Sequence, residues 1–385
     1  MVKDSGAPAK DGPNPTCMRL ELEGSSDLVK LAKLMRQNKS VTDVDVCVHH
    51  TFTQTPRLDT LSFLERIGYS LKRLRKLEFY PGTGNYNVVP ITTLGAALRL
   101  ATKLEVLYVY HLELSGDNQD FRMFAKNLQR CQSLKEVCFI DCQISSSDTE
   151  QPTNPQENTY LFDPIAHVLG SLPSLQVAAI WANDLGQLTP QSLEKICGSS
   201  SIERLMILGF EVDDQQASVI FQALARNQRL RRLNLSCHLG AQACRRLSQM
   251  LQNNTTLEKI KLDVENTVKS RKDMVEIAGG LALNPTLNYF RLAGQCSIGR
   301  KEVVEKAFES ALERNLSLTA FTLLDSGIHT PKMEFFLKLN RSDRRSLQQR
   351  ESMERGPWIK ALAASGGDID CIFYFLSANP SLFML

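Results

Sequence analysis

A six-residue pattern, apolar-x-x-apolar-x-apolar, recurs eleven times, and this recurrence restricts the fold more than any other feature. It starts at Cys17, Val41, Leu74, Leu104, Leu134, Leu175, Ile202, Leu230, Leu257, Leu287 and Leu318. The spacings run from 24 to 41 residues and mostly lie near 30. Self-similarity at such a period marks stacked repeats. Each copy has a lead-in, as in Leu224-x-x-Asn227-x-x-Leu230, Leu251-x-x-Asn254-x-x-Leu257 and Leu281-x-x-Asn284-x-x-Leu287. Asn tolerates the left-handed conformation that ends helices, so these residues read as helix stops. Upstream, Asp214–Arg226 and Lys301–Arg314 carry apolar residues at helical spacing. The predicted unit is strand, loop, helix, loop.

One unit cannot bury its apolar face alone, and stacked neighbours share a continuous core. Helical crossovers make the strands parallel. Strands lie about 4.8 Å apart and packed helices about 8–10 Å, so the stack is predicted to curve with its strands inside. These residues resemble a leucine-rich repeat protein of the long-repeat, ribonuclease-inhibitor-like type, from Cys17 to about Ser326. The resemblance implies an α/β solenoid: a right-handed β-α horseshoe, with a parallel sheet on the concave face and an α-helical C-terminal cap. That family usually places Asn or Cys eight residues after the first Leu. Cys142 and Asn183 match, whereas Gly82, Leu112, Phe210 and His238 do not, which predicts irregular turns after the strands.

Three segments depart from the repeat. Residues 1–16 are polar with three prolines and read as a disordered tail. Repeats span 17–330, interrupted by a polar insertion at 145–159, where Ser145 and Ser147 each have an acid three positions on. Residues 331–385 read as the helical cap, with helices expected over Pro331–Leu339, from Gly356-Pro357-Trp358, and over Asp368–Ala378. The cap is expected to pack its aromatics, Phe373 and Phe375 among them, on the last repeat. Arg341, Arg344, Arg345 and Arg350, with acids nearby, read as a solvated helix face.

Chemistry is sparsely encoded. Gly294–Glu302 follows a strand and precedes a helix, but Arg300 stands where a phosphate-binding loop needs Lys, and no hydroxyl follows. His111, Cys138 and Cys142 approach a ligand set, yet they read better as structural groups. No cofactor, metal or catalytic residue is expected. The ten cysteines include no CxxC pair and, without an export signal, read as reduced thiols. The chain is expected to be cytoplasmic, with the nucleus open, and not secreted. Lys plus Arg is 45 against 42 for Asp plus Glu, a net charge of +3, which does not suggest nucleic acid or a membrane as partner.

Strand alternation lays out the concave surface at pattern positions three, five and seven. Acids (Glu21, Glu23, Asp43, Asp45) lie toward one end, aromatics in the middle, bases beyond. The predicted partner-binding residues are Tyr80, Tyr108, Tyr110, Trp181, Met206 and Leu208, flanked by Arg204, Arg232, Lys259, Lys261 and Arg291. Exposed Trp, Tyr and Arg are the types that anchor interfaces. The expected function is a monomeric, non-catalytic scaffold that grips a protein or peptide. The alternative is a regulator of an enzyme: the repeat number and size look like the Ran GTPase-activating protein, an activator of a small GTPase.

Overall fold

The computed structural model describes residues 17–22, 42–48, 72–81, 87–145, 160–182, 187–264, 270–294, 301–323, 328–348 and 355–379. The chain divides into two compact units, Met1–Glu211 and Val212–Leu385. Each alternates parallel strands with helices, as a β-α solenoid does.

In the first unit, a parallel sheet takes in β1 (Cys17–Leu22), β2 (Asp43–Val48), β3 (Lys76–Pro81), β5 (Val106–Tyr110), β7 (Glu136–Ser145), β8 (Val177–Ala182) and β9 (Arg204–Leu208), side by side in that order. These coincide with the pattern copies, and in β5 and β7 positions one, four and six supply a buried face. Leu104, Leu107 and Val109 are buried, and so are Leu134, Val137 and Phe139. Helices α1 (Ile91–Leu100), α2 (Asn118–Gln129), α3 (Asp163–Leu169) and α4 (Pro190–Cys197) cover that face. Phe124 of α2 meets Phe139 at 6.1 Å, and Phe139 meets Phe162 at 5.2 Å, edge to face. Such contacts add to the burial of each ring.

A second, shorter parallel ladder was not expected. Strands β4 (Asn87–Pro90) and β6 (Leu112–Ser115) pair with each other, and β6 pairs with the far end of β7. The chain reaches this ladder through a corner. His111 and Asp141 take φ of 50° and 51°, and the β7 register shifts between Ile140 and Cys142. Two adjacent repeats turn alike, and the paired side chains (His111 Nδ1 to Asp141 Oδ2, 2.8 Å) tie them. Irregular turns were expected at copies such as that of Leu112, where no Asn or Cys stands, but the repeat that carries Cys142 turns in the same way. Ser145, assigned to the insertion, closes β7; the rest of that insertion lies outside the described residues, as does the 1–16 tail.

The second unit repeats more regularly: β10 (Arg232–Cys237), β11 (Lys259–Val264), β12 (Tyr289–Ala293) and β13 (Ala320–Leu323) pair in parallel. Helices α5 (Asp214–Arg226), α6 (Ala241–Asn253), α7 (Arg271–Leu283) and α8 (Lys301–Arg314) alternate with them. Asp214 Oδ1 accepts from the backbone N–H groups of Gly240 and Ala243, so one repeat's carboxylate caps the next repeat's helix.

The lead-in asparagines do not act through a left-handed backbone. Asn227, Asn254 and Asn284 are extended, with φ from −80° to −72° and ψ from 124° to 128°. Their side chains end the helices instead. Asn254 Nδ2 donates to the carbonyls of Leu224 (2.7 Å) and Asn227 (2.9 Å), one repeat back. Its Oδ1 accepts from the N–H groups of Thr256 and Leu257 just before the strand. Asn284 and Asn315 do the same. In the first unit Cys131 fills the equivalent place, its Sγ 3.5 Å from the Leu98 carbonyl. A buried ladder of this kind gives partners to carbonyls where helices stop.

The C-terminal residues continue the ladder. Helices α9 (Pro331–Arg341), α10 (Arg344–Gln348), α11 (Arg355–Ala364) and α12 (Ile369–Ala378) occupy this region. Asn340 Nδ2 donates to the carbonyls of Asn315 and Leu318. Arg344 is 1% exposed, which overturns the solvated-face reading for that residue, whereas Arg341 is exposed. Its Nη2 donates to the Leu312 and Asn315 carbonyls, and its Nε to Asn340 Oδ1. Arg341 and Arg345 donate to the carbonyls of Thr319 and Pro285. Arg350 lies outside the described residues. Phe375 is buried, but Phe373 is 68% exposed, so it does not join the expected packing.

Candidate protein-binding surface

Pattern positions three, five and seven project to the sheet face opposite the helices. In β5 and β9 the outward residues are exposed or half-buried and the others buried. Register then sets neighbours. One row of the first unit runs Tyr110, Ile140, Trp181, Leu208 across β5, β7, β8 and β9. A second runs Glu78, Tyr108, Cys138, Ala179, Met206, and a third Lys76, Val106, Glu136, Val177, Arg204. The apolar and aromatic row therefore lies at the strand ends, and the charged residues Glu78, Lys76, Glu136 and Arg204 lie toward the strand starts. Trp181 is 41% exposed, high for the largest apolar side chain in the row. Tyr80, half-buried, belongs to β3 on the same face.

The two central tyrosines are held differently. Tyr108 donates its hydroxyl to Glu136 Oε2, and its ring meets that of Tyr110 edge-on at 5.8 Å. Burial pushes the Tyr108 phenol above its ordinary range, and the bond to Glu136 adds to this. Burial also raises Tyr110, with the Glu78 carboxylate contributing. Arg204 Nη2 sits 3.9 Å from Glu136 Oε1. Tyr108, Glu136 and Arg204 form a chain across four strands, which fixes the tyrosine ring beside the apolar row. Glu136 was not singled out from the sequence, though its outward pattern position was the available signal.

In the second unit the face is cationic. Arg232, Lys259 and Tyr289 occupy one row; Asn234, Lys261 and Arg291 the next. Arg232, Lys259 and Lys261 are exposed and Arg291 half-buried. Lys261 Nζ lies 5.8 Å from the Tyr289 ring centre, a cation–π contact not anticipated from sequence. The acidic end expected for the surface falls largely on residues whose side chains are not described.

The remaining sequence candidates do not converge. Cys138 lies on the sheet face and is 7% exposed, while Cys142 lies in the core with its Sγ 3.5 Å from the Val109 carbonyl. Burial pushes both thiols up to about 12. His111 is exposed and bonded to Asp141. Among the described residues no group of three His, Cys, Asp or Glu side chains is placed to hold a metal ion. Gly294 takes φ of 141°, and a Cβ there would sit 2.3 Å from the Val264 carbonyl oxygen. Close approach of two repeats explains this glycine; the loop after it lies outside the described residues. No described helix is long and apolar enough to cross a membrane.

No protein-family model and no curated protein matches the chain. Solved structures overlap it loosely. The leiomodin-1 actin-binding site 2 is 18% identical, covering 41% of this chain and 92% of that one, with a TM-score of 0.32. A Bacteroides fragilis protein is 12% identical over 71% and 73%, at 0.40. The Rad7 and Elc1 complex in yeast gives 14% identity over 82% and 73%, at 0.43. Overlaps this slight leave the functional reading to the geometry.

Proposed function

We propose that the chain is a non-catalytic protein-interaction scaffold, a leucine-rich repeat horseshoe whose concave sheet face grips a protein or peptide. In this reading the helices after Pro331 form the terminal cap that such solenoids require. The observation that carries it is the row Tyr110, Ile140, Trp181, Leu208, brought into line by strand register and left open at Trp181. Contiguous apolar rows rimmed by polar groups mark binding surfaces. Tyr80, Tyr108, Tyr110 and Trp181 act as anchors, with Met206 and Leu208 beside them and Arg204 on the flank.

A pull-down from lysate with the wild-type chain and with Trp181→Ala/Tyr110→Ala tests the surface. Both side chains face outward, so the variant is expected to fold. The double variant is expected to lose its main partners, by tenfold or more in recovered protein, since central aromatic anchors each contribute about 2 kcal/mol or more. Identical partner sets for the two chains would remove this face from consideration.

A further inference from the structure

We propose that the outward face of β10, β11 and β12 holds an acidic segment of a partner protein in extended form, with carboxylates at alternate residues. This rests on the reading of the sheet face as a protein-binding surface and adds the partner's chemistry. Arg232, Lys259, Lys261 and Arg291 lie within two neighbouring rows of three adjacent strands. At strand spacings that block measures about 10 Å across and about 7 Å along the chain. None of the four forms an ion pair among the described residues, and the only acid at the described outward positions of these strands is Asp263. Like charges on facing strand positions repel. An acidic ligand reverses that cost, which is how charge complementarity selects partners.

Two polar atoms narrow the class further. Asn234 Oδ1 and Arg291 Nε are both buried without a hydrogen-bond partner, on either side of Lys261 in one row. The first needs a donor and the second an acceptor. A phosphate chain offers acceptors only, and so satisfies the arginine but not the asparagine. A peptide offers both, through its N–H groups and its carbonyl or carboxylate oxygens. Its binding requires the long Lys261 side chain, between them in the row, to shift from its place over the Tyr289 ring. Alternate residues of an extended peptide lie about 6.6–6.8 Å apart on one side, the same step that separates Lys259 from Lys261. An acid-x-acid segment thus sets successive carboxylates over successive rows of cations.

The test titrates the full chain with fluorescent hexaglutamate, read by anisotropy, with inorganic tripolyphosphate and single-stranded oligothymidylate as competitors. Hexaglutamate is expected to bind, and Lys259→Glu/Lys261→Glu, at two exposed positions, is expected to weaken it about tenfold or more. Asn234→Ala is expected to weaken hexaglutamate while leaving tripolyphosphate competition unchanged. Absent binding, equal binding by the charge-reversed variant, or displacement by oligothymidylate at lower concentration than by unlabelled hexaglutamate would each overturn the proposal. The two readings fail separately. Loss of lysate partners in Trp181→Ala/Tyr110→Ala without hexaglutamate binding retains the surface and removes the acidic segment. Charge-dependent hexaglutamate binding with unchanged lysate partners retains the acidic segment and removes the aromatic row.

Discussion

Asn284 is 3% exposed and uses both ends of its amide, two donations backward and two acceptances forward. Replacing it by Ala leaves four backbone groups without partners inside the core. Asn284→Ala is expected to destabilise the chain by about 2–3 kcal/mol, measured by urea unfolding. The sequence showed that an amide belongs at this place, since Asn recurs there. It did not show why: the backbone is extended, and the side chain reaches a carbonyl 33 residues away. Tyr108 makes a different prediction. Its phenol pKa is raised by burial, so the folded chain keeps the proton at a pH where the unfolded chain loses it. The resulting stability is complete below the unfolded value of about 10 and declines as pH rises above it. The stability of wild type relative to Tyr108→Phe, followed from neutral to alkaline pH, is therefore expected to fall beyond about pH 10. A difference that stayed constant would contradict the burial of this phenol.

At the scale of elements, two adjacent glycines in α7 separate propensity from packing. A Cβ on Gly279 would meet nothing within 4 Å, whereas one on Gly280 would lie 2.7 Å from the Ser248 carbonyl oxygen of α6. Gly279→Ala is expected to stabilise by about 0.5–1 kcal/mol through helix propensity. Gly280→Ala is expected to destabilise by about 1–3 kcal/mol by forcing α6 and α7 apart. Thermal unfolding of the two variants checks both signs. Sequence patterning treats the pair alike, because a helical period reports which side faces inward, not how near the next helix comes. The same blindness hid β4 and β6. Leu112–Ser115 alternates correctly for a strand, but its partners come from the repeats on either side, after a corner at His111 that no residue type announces. Strands at the pattern copies were legible because one buried face repeats with period two.

Across the whole molecule, the last regular repeat depends on the helices C-terminal to it. Asn340, Arg341 and Arg344 together satisfy carbonyls of Leu312, Asn315, Leu318 and Thr319. A chain ended after Gly327 is expected to unfold at lower urea than the full chain and to aggregate, since those carbonyls lose their partners and the last repeat its terminal neighbour. Equal midpoints by circular dichroism and equal solubility would show that the terminal helices only decorate the stack. The aromatic row and the cationic block also belong to this scale. Periodicity named every residue in them as outward-facing, Asn234 and Tyr289 included. Pairing chose their neighbours: Trp181 stands beside Ile140 and Leu208, and Lys261 between Asn234 and Arg291, through register alone. The sequence by itself determined the repeat, the alternation of its pattern strands with helices, and the side of each of those strands that faces inward, because these follow from local spacing and burial. Tertiary structure alone decided the amide ladder, the corner at His111 and Asp141, the burial of Arg344 and the neighbours across the sheet. Those depend on groups about one repeat apart in the chain meeting within hydrogen-bond distance, and no local window of sequence contains both.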